Sequence, residues 1–449
     1  MSNKRLGCIL LAGLMAAGMI TGCGSKDSGK NSSGNASGEQ KQVTLTHWVT
    51  SAMQTDVNLK KEERFKEKYP NIKLENVMVT DDQLSQLASA FASGTNPDFG
   101  EVGQPDMAKY AYAGMAMELD GFMEDWDDLK NFHQESLDNF KYGGKQYALP
   151  SYSYTMNLFY NKPMFEEAGI TEAPKTWDEL LETAKKLTIP EKGQWGFNLL
   201  VSQWTEWWFE YFVWQAGGDL TKENEDGTLA LTFDDPAVET AVDFYRQLID
   251  AKVIQSDLTL NYENMQKEFA NGHAAMTLMG SDGIAQFSGW GMKVEDIGMA
   301  ELPVGPSGEK VTQLGGQCGF IFSNIDEETA QAAWTWLTFD RSKEETEWVL
   351  KNGAEAGSAS PTVIVRNDVD ISLGKINPEY QAAVDASLPY ARLEFYGKGV
   401  VGTYVDAAVQ KTVLDPDADV KAIFQEQQEL AQKEAVDSFN EDILAAENG

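Results

Sequence analysis

Strand and helix patterns alternate along the first folded part of the chain, and this alternation constrains the fold more than any other feature. Val43–Val49 alternates and is rich in residues that favour strands, and Ile72–Val79 places Ile, Leu and Val at strand-like positions. A helical segment between them stops before Pro70, and a second one, ended by Gly94, precedes a third short strand at Phe99–Val102. Strands that alternate with helices in this way predict an α/β fold with a parallel sheet and right-handed crossovers.

Polar and aromatic side chains lie at the ends of two of these strands. Trp48 stands near the end of the first strand, and Gln104 and Asp106 come after the third. In parallel α/β sheets, ligands bind beyond the carboxyl ends of the strands. We therefore predict that Trp48, Gln104 and Asp106 contact a ligand.

The stretch Asn157–Thr188 carries clear signals of local structure. Leu158–Tyr160 is apolar and predicts a buried strand, and Pro163 and Gly169 bracket a short helix, as Pro-first and Gly-last chemistry favours. Thr176 opens a Thr-x-x-Glu capping box, which predicts that its side chain caps the following helix. The local physics alone describes an ordinary strand followed by two helices.

The same stretch resembles a signature of the extracellular solute-binding proteins of ATP-binding cassette importers, in the branch that carries sugars. The resemblance rests on a tyrosine–asparagine pair, an alanine–glycine helix end and a threonine–tryptophan–acid helix start, here Tyr160–Asn161, Ala168–Gly169 and Thr176–Asp178. It extends over nearly the whole mature chain in the family's order. The resemblance implies a two-lobed periplasmic-binding-protein-like α/β fold, in which each lobe is a mostly parallel sheet flanked by helices and a hinge joins the lobes.

Chain length also favours two lobes, because 449 residues are too many for one simple core. By its resemblance, the chain is expected to cross between the lobes near Pro150, Pro303 and Arg341. Lobe one is then expected to comprise residues 43–150 and 303–342, and lobe two residues 151–302 and 343–449. We expect a ligand that touches both lobes to stabilise a closed form.

The N-terminus reads as a targeting signal rather than as part of the fold. Two basic residues precede an apolar run, Leu6–Ile20, that is shorter than a membrane-spanning helix. Ile20–Cys23 resembles a bacterial lipobox, so residues 1–22 are predicted to be a lipoprotein signal peptide and Cys23 the acylated N-terminus of the mature protein. The alternative is a plain secretory signal with an incidental cysteine. Residues 23–42 predict a flexible tether, which would hold the protein at the outer face of the cell membrane.

Cysteine usage and charge exclude several classes of function. Cys318 is the one cysteine left in the folded part once the signal and lipobox cysteines are set aside, so no intramolecular disulfide can form there. The formal net charge of −34 argues against a nucleic-acid partner, which needs a basic surface. His47, His133 and His273 lack the spacing of metal ligands, and no phosphate-binding loop or nucleophile motif is present, so we predict neither a metal nor another cofactor.

The segment Gln203–Gly218 is rich in aromatic residues. On a helix, its aromatic side chains spread over a wider arc than a core-facing stripe usually occupies, with two glutamates opposite. Some rings are therefore predicted to face a ligand, and we assign Trp204 and Trp207 to stacking on the apolar faces of sugar rings. The alternative is that all these tryptophans are core residues, which is the reading we favour for Trp208 and Trp214.

Further ligand contacts follow from the resemblance. Where the family often has proline and tryptophan after a glycine, this chain has Ser281 and Asp282, and we predict that Asp282 accepts hydrogen bonds from sugar hydroxyls. The alternative is that Asp282 caps the helix that begins near Gly283. The segments that cross between lobes add three more predicted contacts, Tyr154, Gly316 and Gln317.

These features together predict a substrate-binding lipoprotein of an ATP-binding cassette importer. It would capture an uncharged oligosaccharide between its lobes, deliver it to the membrane permease subunits, act as a monomer and catalyse no reaction. One alternative is a surface glycan-binding protein used for adhesion or sensing. Another is a glycoside hydrolase, because 70 acidic residues supply carboxylate pairs by chance and such enzymes work with two carboxylates. The resemblance over the whole chain argues against the hydrolase.

Overall fold

The computed structural model describes residues 41–50, 53–80 and 86–447. The predicted signal peptide, Cys23 and nearly all of the predicted tether lie outside the described residues. Among the residues described, no helix combines the length and the apolar character needed to cross a membrane.

Two long strands form the centre of the largest sheet. In chain order the strands are β1 (Val43–Val49), β2 (Ile72–Met78), β3 (Phe99–Gly103), β4 (Lys141–Tyr142), β5 (Lys145–Gln146), β6 (Leu149–Asn161), β7 (Thr221–Glu223), β8 (Leu229–Leu231), β9 (Met276–Gly280), β10 (Ile297–Ala300), β11 (Thr312–Ile321) and β12 (Ala391–Arg392). With 13 and 10 residues, β6 and β11 are long enough to pair with several neighbours each. The three-strand prediction for the N-terminal segment is confirmed at β1, β2 and β3.

Helices fill much of the sequence between the strands. They are α1 (Asp56–Lys68), α2 (Leu87–Ser93), α3 (Met107–Tyr112), α4 (Asp120–Met123), α5 (Gln134–Asp138), α6 (Lys162–Glu167), α7 (Trp177–Leu187), α8 (Thr205–Gln215), α9 (Pro236–Asp250), α10 (Tyr262–Ala270), α11 (Ile284–Gly289), α12 (Glu327–Asp340), α13 (Lys343–Ala356), α14 (Pro378–Ser387), α15 (Lys398–Leu414), α16 (Val420–Ala431) and α17 (Asp437–Glu447). A π-helical stretch, Gln432–Val436, joins α16 and α17.

β6 joins the two halves of the largest sheet, because its hydrogen-bond partners change along its length. Its first half, up to Thr155, pairs with β11, and β11 pairs with β3 as well. Its second half, from Met156 to Asn161, pairs with β9 and β10. The chain therefore passes the predicted crossing near Pro150 as a continuous strand rather than as a loop.

The sheets are mixed, and the expectation that they are mostly parallel is wrong. Within the described residues, β1–β2 and β11–β12 pair in parallel, whereas the six other strand pairings are antiparallel. The parallel β1–β2 pair follows from the helix between the two strands, because a crossover connection lets the chain return in the same direction. β6 and β11 instead run in opposite directions. The alternation of strands and helices near the N-terminus does not extend to these two strands.

Local signals in the sequence set the ends of two early helices. Thr176 precedes α7, and its side-chain oxygen accepts a hydrogen bond from the amide of Glu179 at 3.2 Å, as the capping box predicts. Glu179 in turn accepts a hydrogen bond from the amide of Lys175 at 2.7 Å, one residue earlier than a capping box requires. Gly169 follows α6 with a φ of +67°, the left-handed conformation that glycine adopts without strain.

Separate apolar clusters stabilise the two ends of the molecule's central sheet. One cluster joins β1, α1 and α12 through Leu45, Phe65 and Leu337. The largest joins β6 to α7, α8, α9 and the C-terminal helices, with Leu158 and Trp208 fully buried. Burial of apolar surface, at roughly 25 cal/mol per Å², is the main stabilising contribution of both clusters. The boundaries given above for the two lobes stay a prediction.

Candidate functional site

Three aromatic side chains from two helices form the most open part of the candidate site. Trp204 directly precedes α8, Trp207 lies in its first turn, and Tyr262 is the first residue of α10. The ring centroid of Tyr262 lies 6.4 Å from that of Trp204 and 5.4 Å from that of Trp207. Trp204 keeps 44% of its surface exposed, so its ring is open to a ligand. We call these three residues the aromatic arc.

The rest of α8 is almost entirely buried. Trp208 and Trp214 are 0% and 3% exposed, as predicted for core residues. Trp207 is half-buried, and its indole Nε1 donates a hydrogen bond to Oε1 of the buried Gln313 at 2.7 Å, which fixes the edge of the ring. Of the tryptophans in this aromatic segment, the structure therefore leaves Trp204 and Trp207 as the two with accessible ring surface.

Asp282 follows β9 in a short 3-10 turn and lies at the centre of the site. The Tyr152 hydroxyl and the backbone amide of Asp282 favour the ionised form of this carboxylate and so oppose the effect of burial on its pKa. Burial raises the pKa of Asp282 to about 6. The alternative that Asp282 caps the next helix is wrong, because the cap position is Gly283 and the amide of Ala285 donates to Oγ of Ser360 at 3.1 Å.

Two glycines leave room for the Tyr154 ring beside this part of the site. Tyr152 and Tyr154 lie on the same face of the strand, with ring centroids 6.4 Å apart. The Tyr154 ring packs against Gly280 and Gly315, where an added Cβ would lie only 2.9 Å and 2.3 Å from ring atoms. Neither glycine can therefore carry a side chain unless the ring moves.

A cavity of about 350 Å³ opens beside Asp282 and Tyr152. Polar side chains line it, among them Glu101, Gln317 and Arg341. Arg341 is buried, and its guanidinium hydrogen-bonds to a backbone carbonyl, to a serine hydroxyl and, at 3.3 Å, to the Glu101 carboxylate. Lys61 and Arg366 also line the cavity, and like Arg341 each is paired with a carboxylate. The cavity wall therefore combines hydroxyl, amide and carboxylate groups with paired cations and with aliphatic side chains such as Leu350.

A buried group of charges lies beside Trp207, and we call it the carboxylate cluster: Lys398, Glu206, Glu210 and Glu394. Lys398 forms an ion pair with Glu394, and its Nζ lies 3.8 Å from Oε1 of Glu206 and 5.7 Å from the Trp207 ring centroid. Burial raises the pKa of each of the three carboxyl groups above its usual value. Burial alone would lower the pKa of Lys398, but the neighbouring carboxylates raise it. In the described part of the chain, no group of three or more His, Cys, Asp and Glu side chains is arranged to hold a metal ion.

Trp48 does not line the cavity. It packs against an apolar cluster that includes Leu87 and Met107. Its neighbour His47 lines a smaller cavity of about 50 Å³, which shares Glu101 with the larger one. Successive side chains of a strand point to opposite faces, so the strand turns His47 rather than Trp48 towards the polar side. The structure thus gives Trp48 a packing role.

Gln104 and Asp106 lie in a 3-10 turn after β3, and neither lines the larger cavity. Asp106 lies against the first turn of α15, where a Cβ placed on Gly399 would be 2.5 Å from its Oδ1. Lys109 also approaches this carboxylate, with Nζ 3.5 Å from Oδ1. Asp106 therefore contacts a distant part of the chain at the edge of the site rather than its centre.

Two further predicted contacts have structural roles. Ser281 is fully buried, and its hydroxyl donates to the carbonyl of Pro361 at 2.6 Å. Gly316 packs on the backbone of β6, where an added Cβ would lie 2.8 Å from the carbonyl oxygen of Tyr152. Of the remaining predicted residues, Gln317 and Asp282 line the cavity, Tyr154 lies on β6, and Trp204 and Trp207 belong to the aromatic arc. Their assignment as ligand contacts stays a prediction.

Tyr262 and Tyr152 escape prediction from the sequence. Tyr262 packs against both tryptophans, and its hydroxyl donates a hydrogen bond to Sδ of Met279 at 2.8 Å. Burial raises the pKa of this hydroxyl, and the charge of Asp282 adds to the rise. Nothing in the sequence around Tyr262 marks this residue as a neighbour of the two tryptophans. Tyr152 could have been found, because it lies two residues before Tyr154 and therefore on the same face of the strand.

Comparison with known proteins identifies the family. The family described as bacterial extracellular solute-binding protein matches residues 49–347. The diacetylchitobiose binding protein of Streptomyces coelicolor is 28% identical over 403 residues, which are 87% of this chain and 87% of that relative. A binding protein of Brucella abortus is 30% identical over 284 residues, which are 61% of this chain and 66% of the relative, so this match spans just under two thirds of the relative's length.

Solved structures agree on the fold. A solute binding protein of an ABC transporter from Thermotoga lettingae, bound with α-D-tagatose, superposes with a TM-score of 0.75 at 20% identity and covers 87% of this chain and 99% of that chain. The family match over residues 49–347 shows that the chain belongs to the bacterial extracellular solute-binding proteins. The resemblance carried by Tyr160–Asn161 and Thr176–Asp178 is confirmed, and so is the two-lobed periplasmic-binding-protein-like fold.

Proposed function

We propose that this protein binds a neutral oligosaccharide and delivers it to the permease of an ATP-binding cassette importer. The observation that carries the proposal is the aromatic arc of Trp204, Trp207 and Tyr262, together with the polar cavity that Asp282 and Tyr152 line. Sugar rings have apolar C–H faces that pack on aromatic rings, and hydroxyls around the rim that pair with carboxylates and amides. Membership of the solute-binding family supports binding and delivery rather than catalysis.

Charges in and around the site favour an uncharged ligand. Arg341 is neutralised by Glu101, and Lys398 by Glu394, so neither cation is free to attract an anion. Asp282 is a single half-buried carboxylate whose raised pKa makes its ionised form costly beside further negative charge. Hydroxyl groups, which donate hydrogen bonds to a carboxylate without adding charge, are the chemistry that fits. The relative from Streptomyces coelicolor is named for a sugar that it binds.

The test is calorimetric titration with a panel of neutral glycans that includes maltotriose and diacetylchitobiose. We expect at least one glycan to bind at pH 7.5 and Asp282→Asn to weaken it about tenfold, because about 1.4 kcal/mol of a charge-assisted hydrogen bond is lost. Affinity of the unsubstituted protein should fall as the pH drops through about 6, where Asp282 takes up a proton and loses acceptor capacity. Affinity of Asp282→Asn should stay flat over the same range.

Two outcomes would contradict the proposal. One is a folded protein that binds no member of the panel. The other is release of reducing ends from a bound glycan during incubation, which would favour the glycoside hydrolase. Binding without transport, as in adhesion or sensing, would show as unchanged glycan uptake by cells that lack the protein.

The two-lobed arrangement and the membrane anchor form a second part of the proposal. We place the hinge near Pro150, Pro303 and Arg341, so that a ligand between the lobes favours a closed form. The lipobox at Ile20–Cys23 supports anchoring at the outer face of the membrane through an acylated Cys23.

Cys23→Ser is expected to leave the protein uncut or to release it from the membrane, because serine cannot carry the thioether-linked lipid. The measurement is detergent partitioning of cell fractions combined with mass spectrometry of the N-terminal peptide. Cys318→Ser is the matched control, since this cysteine is buried in the folded part and should not affect partitioning. An unmodified Cys23 in the mature protein, or cleavage elsewhere, would refute the lipoprotein assignment.

A further inference from the structure

Trp204 has an uncommon backbone conformation for an aromatic residue. Its φ of 69° and ψ of 20° are left-handed, a region that side chains other than Gly, Asn and Asp rarely adopt. It also occupies the N-cap position of α8, where Ser, Thr, Asp or Asn usually supply an oxygen, and its side chain makes no capping bond. Such a residue persists when the surrounding structure holds it, and strain of this kind often lies at ligand sites.

Asp406 on α15 supplies the missing cap. Its Oδ2 accepts a hydrogen bond from the Trp204 amide at 3.2 Å, and its Oδ1 accepts one from the Glu206 amide at 2.9 Å. These are amides that the start of a helix leaves without intrahelical partners, and the carboxylate also suits the positive end of the helix dipole. The conformation of Trp204 is therefore held by a residue 202 positions away in the chain.

The same face of α15 contacts the start of α8 at two further points. Lys398 and Gly402 precede Asp406 by eight and four residues, so the three share one helix face. Lys398 stands 5.7 Å from the Trp207 ring centroid, and a Cβ placed on Gly402 would lie 3.2 Å from Cγ of Glu206. One face of one helix therefore contacts the start of α8, where the exposed Trp204 and the half-buried Trp207 lie.

We propose that Asp406 is a positioning residue for the Trp204 ring, and that it sets ligand affinity without touching the ligand. The inference rests on the proposed function, in which Trp204 stacks on a sugar ring. With 44% of its surface exposed, Trp204 has few packing neighbours to fix its ring, and its ring contact with Tyr262 is long at 6.4 Å. The backbone conformation that Asp406 maintains therefore decides where the ring stands.

The first test needs no ligand. The mature protein is labelled with 5-fluorotryptophan, and the fluorine resonance of Trp204 is assigned by its loss in Trp204→Phe. In Asp406→Ala we expect this resonance to shift or broaden, while those of Trp208 and Trp214, deep in the core, stay in place. Asp419→Ala is the control for loss of a capping carboxylate, because Asp419 is the N-cap residue of another helix, α16, and accepts a hydrogen bond from the amide of Ala422 at 3.0 Å.

The second test measures affinity for maltotriose and diacetylchitobiose. We expect Asp406→Ala and Trp204→Ala each to weaken binding of whichever sugar binds about tenfold. In a Trp204→Ala background, Asp406→Ala should add less than about twofold, because coupled residues are not additive. Asp419→Ala should leave affinity unchanged. Asp406→Asn keeps one acceptor oxygen, so its affinity should lie between those of the unsubstituted protein and of Asp406→Ala. It replaces the alanine variant if that variant is poorly folded.

The outcomes separate the two proposals. If neither sugar nor any other glycan binds the unsubstituted protein, the proposed function fails, and the fluorine spectra still decide the positioning role. An unchanged Trp204 resonance in a folded Asp406→Ala protein overturns that role. Additive losses in the double variant overturn it too, since Asp406 would then act on affinity by a route that does not pass through Trp204.

Discussion

Lys398→Met should lower the free energy of unfolding by about 3–5 kcal/mol at pH 8, the range observed when one partner of a buried ion pair is removed. The Lys398, Glu206 and Glu394 side chains are 15%, 8% and 8% exposed, so none of them can regain much hydration when the lysine charge is lost. Methionine keeps the volume of the side chain, which restricts the change to charge. Chemical denaturation followed by circular dichroism gives the free energy.

The pH dependence of this loss distinguishes charge from packing. Burial raises the pKa of Glu206, Glu210 and Glu394 in the folded state, so these groups bind protons more tightly when folded than when unfolded. The deficit of Lys398→Met should therefore be largest at high pH and shrink as the pH falls through the raised pKa values. A deficit that does not change with pH would point to packing and contradict the explanation.

Lys411→Met is the matched control for this substitution. Lys411 lies on the same helix, α15, but pairs with Glu426 at 3.9 Å on the surface, where both side chains are about half exposed. Exposed pairs of this kind contribute roughly 0–1 kcal/mol, because water and salt screen them. An equal loss of stability in both variants would mean that the carboxylate cluster has no special dependence on Lys398.

Trp207→Ala is expected to weaken glycan binding about 100-fold, which corresponds to about 2.7 kcal/mol. The indole is fixed at its edge by Gln313 and on one face by Lys398, so its position is set before a ligand arrives and little ordering is left for binding. Aromatic residues held in this way are the ones that most often dominate binding energy. Isothermal titration calorimetry measures the change, and a circular dichroism melt checks the fold.

Trp290→Ala provides the comparison for Trp207→Ala. Trp290 is also half-buried and also lies under a lysine, with Lys267 Nζ 5.5 Å from its ring centroid, but it packs against Phe287 outside the aromatic arc. The Trp290→Ala variant should be less stable than the unsubstituted protein and should bind the glycan with unchanged affinity. Wild-type affinity in a folded Trp207→Ala protein would remove Trp207 from the site and leave it as part of the scaffold.

Local chemistry made the early elements predictable from the sequence. The strand at Val43–Val49 depends on side-chain alternation, and the helix after Thr176 depends on a four-residue capping motif, and the sequence displays both directly. The role of Trp48 was not predictable in the same way, because alternation groups side chains by face but does not say which face meets the cavity. That choice depends on partners such as Leu87 and Met107, which lie far along the chain.

The same limit applies to the site itself. Trp204 and Trp207 were selected because the aromatic side chains of Gln203–Gly218 spread widely around one predicted helix, which is a property of that segment alone. Tyr262 and Asp406 join them through contacts between helices distant in sequence, and no local pattern reports such contacts. The antiparallel pairing of β6 with β11 escaped prediction for the same reason, since the strands are separated by more than 150 residues.

The continuity of β6 has a mechanical consequence. One strand keeps hydrogen bonds to β11 on one side of Thr155 and to β9 and β10 on the other, so the two halves of the sheet are not joined here by a slack linker. Any relative rotation of the halves would therefore have to be absorbed as extra twist along the peptide units of this strand. Tyr152 and Tyr154 are carried on this stretch, so a ligand that contacts their rings would act directly on the strand that joins the two halves of the sheet.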